Sequence, residues 1–323
     1  MGSRVFRGAD GVLIHARTAG RRSARHKIVL IHGFPDFSFT WRHQLELFKN
    51  REDLYAVAID LRGAGGSSAP DDPAAYHPDR LLDDLIAVVH CLRSDKVKRG
   101  DSDELSELHA DASEAASGRP PKVHLVAHDF GCHLAWLAAM RHPQLFARMV
   151  VVNGAHPAHT RAITVVPRRM MRVAHVGLLQ PPGLAEALLS AETLLEVIAA
   201  NCPRDSFSAA VKVAYLEAFR RPRTRSAMFS WYRGLAWSAI RRDDRNLAKV
   251  SIPVLTVYGE DEPFLDKAMV EAPPSWVDPL VSRTLALPGG HWLHWPQAKS
   301  PSRSGKVRPT FHAELCRFLE LEA

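Results

Sequence analysis

Apolar residues along the chain follow two alternating rhythms. Lys27–His32 (KIVLIH), Leu54–Asp60 (LYAVAID), Lys122–Ala127 (KVHLVA) and Met149–Asn153 are short, β-branched and almost continuously apolar. Such runs predict strands buried on both faces. Between them, Trp41–Phe48, Arg80–Leu92 and Cys132–Arg141 carry longer helical patterns. Strand, helix, strand in this order predicts a mostly parallel sheet covered on both sides. From Pro157 to Arg245 the strand signal stops, and Arg-rich and Leu/Ala-rich helical stretches replace it. Strands resume at Pro253–Tyr258 and Arg283–Leu287, and a last helix covers Phe311–Leu321. The simplest organisation is a sheet domain, 1–156 with 247–323, interrupted by a helical lid at 157–246. An insertion there is expected over the carboxyl edge of the sheet, where ligands bind. Residues 96–121, acidic, Ala/Ser-rich and ending Gly-Arg-Pro-Pro, read as a surface loop.

Composition narrows this picture. The 323 residues, 46% of them apolar, suffice for a large core, and 24% charged residues exclude a globally disordered chain. No stretch approaches the roughly 18 apolar residues that a membrane span needs. The N-terminal MGSRVFRGADG lacks an apolar signal region, and Phe6 stands where a myristoylation motif requires Ser or Thr. Cys91, Cys132, Cys202 and Cys316 are scattered without metal-ligand spacing, which fits reduced thiols and a cytoplasmic location. The net charge of +7 sits wholly in 157–246, where thirteen Arg and one Lys face seven acidic residues. With no zinc-finger spacing and no aromatic-glycine RNA signature, this reads as a solvated basic surface and not a nucleic-acid site. An acidic partner or an anionic membrane surface is the alternative reading.

The chemistry concentrates in three turns. In KVHLVAHDFGCHLAW a strand runs into a helix through Ala127-His128-Asp129-Phe130-Gly131. Small residues flank Asp129, as in a nucleophile elbow, with Asp where serine hydrolases carry Ser. The helix N-terminus would keep that carboxylate ionised, although it would equally favour Asp129 as a simple N-cap. His32-Gly33-Phe34-Pro35 follows the first strong strand and can direct the Phe34 N–H at the same point, beside the N–H of Phe130. Pro288-Gly289-Gly290-His291-Trp292 follows the last strand.

HGFPDFSFTWRHQLELF, AIDLRGAGGSSAP and LVAHDFGCHLAW together resemble the α/β-hydrolase superfamily, in its epoxide hydrolase branch. The likeness runs from about Arg4 to Leu321 and is weakest in the lid. It implies an α/β-hydrolase fold: an eight-stranded, mostly parallel sheet with helices on both faces and an inserted helical lid. It implies Asp129 as nucleophile, His291 as the base that activates water, and Phe34 and Phe130 as backbone oxyanion donors. The acid falls on Glu262 in Gly259-Glu260-Asp261-Glu262, where the family usually has Asp, and Asp261 is its rival. Some relatives place the acid after the preceding core strand, here Asn153, which cannot ionise. Ser230-Trp231-Tyr232-Arg233 matches the family's Trp-Tyr-Arg and makes Tyr232 a donor to the epoxide oxygen. HVGLLQPPGLAE puts His175 where a second Tyr is usual, with Tyr215 as a substitute donor. Phe37, Trp41 and Trp292 are expected around the substrate, Ser38 replaces a frequent Trp, and His294 is expected at the site wall or exposed.

The implied reaction converts a small apolar epoxide and water to a vicinal diol with no cofactor and no metal. A homodimer is left open. A dehalogenase would use the same Asp129, but its halide-binding indole is replaced by Phe130. A binding protein on a hydrolase scaffold is the alternative of another class.

Overall fold

In the computed structural model, the described residues are 1–94, 121–159, 171–172, 174–203, 206–241, 248–272, 274–296 and 310–321, and the side chain of His175 is not among them. The loop expected at 96–121 therefore lies almost wholly outside the described residues.

Eight strands form one sheet: β1 (Gly2–Arg7), β2 (Leu13–Gly20), β3 (His26–Ile31), β4 (Leu54–Ile59), β5 (Val123–His128), β6 (Phe146–Val152), β7 (Val254–Gly259) and β8 (Arg283–Leu287). Their order is β1-β2-β4-β3-β5-β6-β7-β8. β2 pairs antiparallel with β1 and β4, and every later pairing is parallel. The first two strands were not read from the sequence. Their burial alternates and they carry Arg4, Arg7, His15 and Arg17, so an edge hairpin has none of the continuous apolar character of a buried strand.

The consecutive apolar residues of the central strands serve two cores. Val29, Ile31, Leu125, Ala127, Met149 and Val151 face one side, and Ile28, Leu30, Val126, Val150 and Val152 face the other. α1 (Arg42–Phe48) closes the second side with Leu45 and Phe48. On the first side lie α2 (Pro78–Ser94) and α3 (Phe130–Arg141). Between β6 and β7 the described residues hold α4 (Ala174–Leu178), α5 (Leu184–Leu188), α6 (Ala191–Asn201), α7 (Ala209–Arg220) and α8 (Thr224–Arg241). The short α9 (Lys267–Val270) and the final α10 (Phe311–Leu319) complete the chain, and α10 packs on the second side through Phe311 and Leu315. No helix among the described residues is long and apolar enough to cross a membrane.

Two arginines of the inserted helices hold their own segment together. Arg233 donates to Leu179 O and Pro181 O and pairs with Glu186; Arg225 donates to Glu186 O and Leu189 O. The basic excess is thus partly a set of helix-end staples, not only a solvated face. Trp231 Nε1 donates to Arg62 O at 3.0 Å and ties the insertion to the sheet domain.

Arg62 is itself buried and paired bidentately with buried Asp84, at 2.7 and 2.8 Å, while Ala9 N donates to the same carboxylate. Removing one partner of a buried pair leaves an uncompensated charge. Asp84→Ala should therefore lower unfolding free energy by roughly 3–5 kcal/mol in urea titration. A loss below about 1 kcal/mol, the range of surface pairs, would contradict this role.

Candidate active site

The site is built where the ends of β3, β5, β7 and β8 meet. β5 stops at His128, and Asp129 adopts φ 52°, ψ −123°, a conformation rarely open to a residue with a side chain. Its neighbours must be small. A Cβ on Gly131 would approach His32 O to 2.5 Å, and one on Gly33 would approach the Asp129 Cβ to 2.4 Å. The Asp129 amide is pinned to Val152 O at 3.1 Å. α3 begins immediately after it at Phe130, so the carboxylate stands above a helix N-terminus without making a side-chain capping bond. The simple N-cap reading of Asp129 therefore fails.

The Phe34 N–H donates to Asp129 Oδ1 at 2.8 Å. The other oxygen, Oδ2, lies 3.7 Å from His291 Nε2. His291 Nδ1 meets Glu262 Oε2 at 2.8 Å, and the Phe264 amide donates to Glu262 Oε1 at 2.8 Å. Both Glu262 oxygens are thereby engaged and the residue is buried, whereas Asp261 is exposed. The extra methylene of Glu reaches the imidazole from the turn after β7. Burial alone would depress the His291 pKa, but the Glu262 charge and hydrogen bond, with the Asp129 charge, raise it above 6.5.

An aromatic wall surrounds this axis. Tyr232 stands edge-on to Phe34 at 5.3 Å and to Phe130 at 5.5 Å. Its hydroxyl makes no hydrogen bond among the described residues. Burial and the Asp129 charge push the Tyr232 pKa well up, so the phenol is held protonated. Phe264 and Trp292 each set an edge against His291, both at 4.9 Å.

Other expected residues are held by packing and hydrogen bonds. Trp41 is fully buried against His294, 4.5 Å between rings, in the core beneath the site. His294 is also fully buried, bonded through Nε2 to Thr40 Oγ1 at 2.8 Å, and not exposed. Phe37 stacks on Phe39 and meets Tyr215 edge-on. Tyr215 is unsuitable as a substitute donor, because its hydroxyl donates to Asp36 Oδ1 at 2.5 Å. The His175 side chain lies outside the described residues.

Asp36 was not singled out from the sequence. Its buried carboxylate accepts from Tyr215, Trp292 Nε1 at 2.9 Å and Thr40 Oγ1 at 3.1 Å, linking α7 to the turns around the site. Burial pushes its pKa up to about 6. Its only sequence signal is its place directly after His-Gly-Phe-Pro. Ligating atoms of Asp36, His128 and His294 lie within 4.8 Å of one another. The three donors on Asp36 compete for the lone pairs a cation would need, so the cluster reads as a hydrogen-bonded support.

A family model described as the α/β hydrolase fold matches residues 27–298. The chain belongs to this family. Within it, the sequence is similar to epoxide hydrolases: 26% identical to human epoxide hydrolase 4 over 95% of this chain and 78% of that one. It is 28% identical to epoxide hydrolase 3 of Xenopus tropicalis over 94% of this chain and 76% of that one. Among solved structures, epoxide hydrolase A from Mycobacterium thermoresistibile superposes with TM-score 0.71 at 22% identity, over 99% and 98% of the two chains. An epoxide hydrolase from hot-environment metagenomes gives TM-score 0.75 at 21% identity, over 100% and 99%.

The geometry separates the two neighbouring acids. Glu262→Gln removes the charge that raises the His291 pKa, whereas Asp261→Asn touches an exposed group. A base must be neutral, so activity that depends on His291 is lost as pH falls through its pKa, which the Glu262 charge raises. Glu262→Gln should shift that limb to lower pH and reduce turnover by about 10²–10⁴-fold. Asp261→Asn should leave both within about twofold. The reverse ranking in a pH–rate series would assign the acid to Asp261.

Proposed function

We propose that the protein is an epoxide hydrolase acting through an ester of Asp129, with the inserted helices at 157–246 as a lid over the site. The observation that carries this reading is the divided carboxylate of Asp129. One oxygen is held by the Phe34 amide, and the other faces an imidazole anchored by Glu262.

The division assigns the atoms. Oδ2, free of the amide, attacks an epoxide carbon, and the ring C–O bond breaks. Tyr232 donates to the departing oxygen, which would otherwise leave as a poorly stabilised alkoxide. His175 is the second donor by the family resemblance. Oδ1 becomes the ester carbonyl oxygen and already lies on the Phe34 N–H. In the second half, His291 takes a proton from water, and the resulting hydroxide attacks the Asp129 carboxyl carbon. The amides of Phe34 and Phe130 hold the tetrahedral oxyanion, which collapses by breaking the Cγ–Oδ2 bond: the diol leaves with Oδ2 and the hydroxide's proton, the water oxygen stays in the carboxylate, and the His291 imidazolium gives up its proton to restore the Tyr232 phenol.

Charge supports the order of events. The Asp129 carboxylate is one of the groups raising the His291 pKa. Esterification neutralises it, so the imidazole pKa falls when a base is needed. Glu262 remains to steady the imidazolium. The residue after the nucleophile is Phe130, whose side chain offers no N–H to a departing halide, which disfavours dehalogenation. The apolar, aromatic surroundings fit a small apolar epoxide.

His291→Gln should retain alkylation and lose ester hydrolysis. Intact-protein mass spectrometry with an aryl epoxide should then show an adduct equal in mass to the substrate, mapping to Asp129. Tyr232→Phe should slow adduct formation about 10²-fold. An adduct on another residue, or diol release at the wild-type rate from Asp129→Ala, would refute the scheme.

A further inference from the structure

β6 ends at Val152, between the nucleophile strand and the acid strand, and the chain turns through Asn153 with φ 45°. Asn153 is completely buried. Its Nδ2 donates to Gly290 O at 3.0 Å and to His291 O at 2.8 Å, and its Oδ1 accepts from Gly259 N at 2.8 Å. Its own amide donates to Val257 O at 3.0 Å. The preceding carbonyl, Val152 O, receives the Asp129 amide. One residue and the peptide before it therefore touch the nucleophile turn, the strand that carries the acid turn and the histidine loop. His128, directly before Asp129, adds a second donor to the same carbonyl, His128 Nε2 to His291 O at 3.0 Å.

We infer that Asn153 is a positioning residue for the hydrolytic half-reaction, its carboxamide fixing the backbone from which the His291 imidazole reaches between Asp129 and Glu262. The inference rests on the reading of His291 as the base in that step.

The physical need is specific. Glu262 holds one imidazole nitrogen but cannot by itself fix where the other lies relative to Asp129. That is decided by the peptide carrying the side chain. This peptide follows two glycines, Gly289 with φ 132° and then Gly290, so its own loop does little to immobilise it. The donors that hold it come from β5 and the end of β6. Alkylation asks nothing of Nε2, since Oδ2 attacks directly. Ester hydrolysis depends on it, and a displacement of about 1 Å can cost about 10²-fold.

The competing explanation is that Asn is present only because it tolerates positive φ. Asn153→Gly separates the two, since glycine supplies that backbone conformation and deletes the amide. Single-turnover kinetics with an aryl epoxide, read by quenched-flow mass spectrometry, should be run on the wild type, His291→Gln and Asn153→Gly. Asn153→Gly should lose stability, because it leaves the buried Gly259 N–H and Gly290 O unpaired, yet below its melting temperature alkylate within about twofold of the wild-type rate. It should hydrolyse the ester about 10²-fold more slowly, so that the ester accumulates. Wild-type hydrolysis in Asn153→Gly, or equal slowing of both halves, overturns the inference while leaving the His291→Gln ester, and hence the mechanism, intact. Absence of that ester overturns the mechanism and this inference with it.

Should Asn153→Gly fail to fold, near-isosteric Asn153→Asp gives an independent reading. Only a protonated carboxyl can donate to His291 O, so the hydrolysis rate of this variant relative to the wild type should rise as pH falls. A pH-independent ratio would overturn the inference.

Discussion

The site depends on a single backbone constraint: Asp129 held at positive φ where the central strand becomes a helix. A non-glycine residue in such a conformation costs on the order of 1–3 kcal/mol and persists only when its surroundings over-determine it. Here they do. The amide is tied to Val152 O, Oδ1 to the Phe34 amide, and neighbouring atoms approach so closely at Gly33 and Gly131 that neither could carry a side chain. The strain lifts the carboxylate clear of the sheet and turns one oxygen toward His291 while the other stays on a backbone donor.

The remainder of the fold holds partners at that point. Parallel strands bring the turns after β3, β5, β6, β7 and β8 to one edge. The inserted helices add Tyr232 from α8, and they are fastened by Tyr215 to Asp36 and by Trp231 to Arg62 O. Each fastening is a hydrogen bond buried away from water, where leaving one partner unpaired costs more than the bond itself contributes.

Much of this was legible in the sequence, for reasons that differ by element. Strands β3 to β7 were visible because both faces are buried, which leaves continuous apolar runs. The β1–β2 hairpin was missed because an edge pair alternates charge with apolar residues; Asp10-Gly11, both at positive φ between the two strands, is the turn signal that could have marked it. Asp129 and His291 stood out because a strained turn demands small neighbours and the last strand must be followed by its histidine. Asp36 and Asn153 were invisible as working residues. Their contributions are hydrogen bonds across 179 and 138 residues of chain, to Tyr215 and His291, and no local spacing encodes them. Trp41 was expected around the substrate and His294 at the site wall or exposed, yet both are fully buried.

The covalent role of Asp129 is tested most directly by a single turnover in water enriched in heavy oxygen, with enzyme in excess over epoxide. Peptide mapping should find the label in the Asp129 carboxylate, and the diol from that first turnover should carry an unlabelled oxygen drawn from the protein. Label in the diol with Asp129 unlabelled would mean that water attacks the epoxide directly, and would contradict the account.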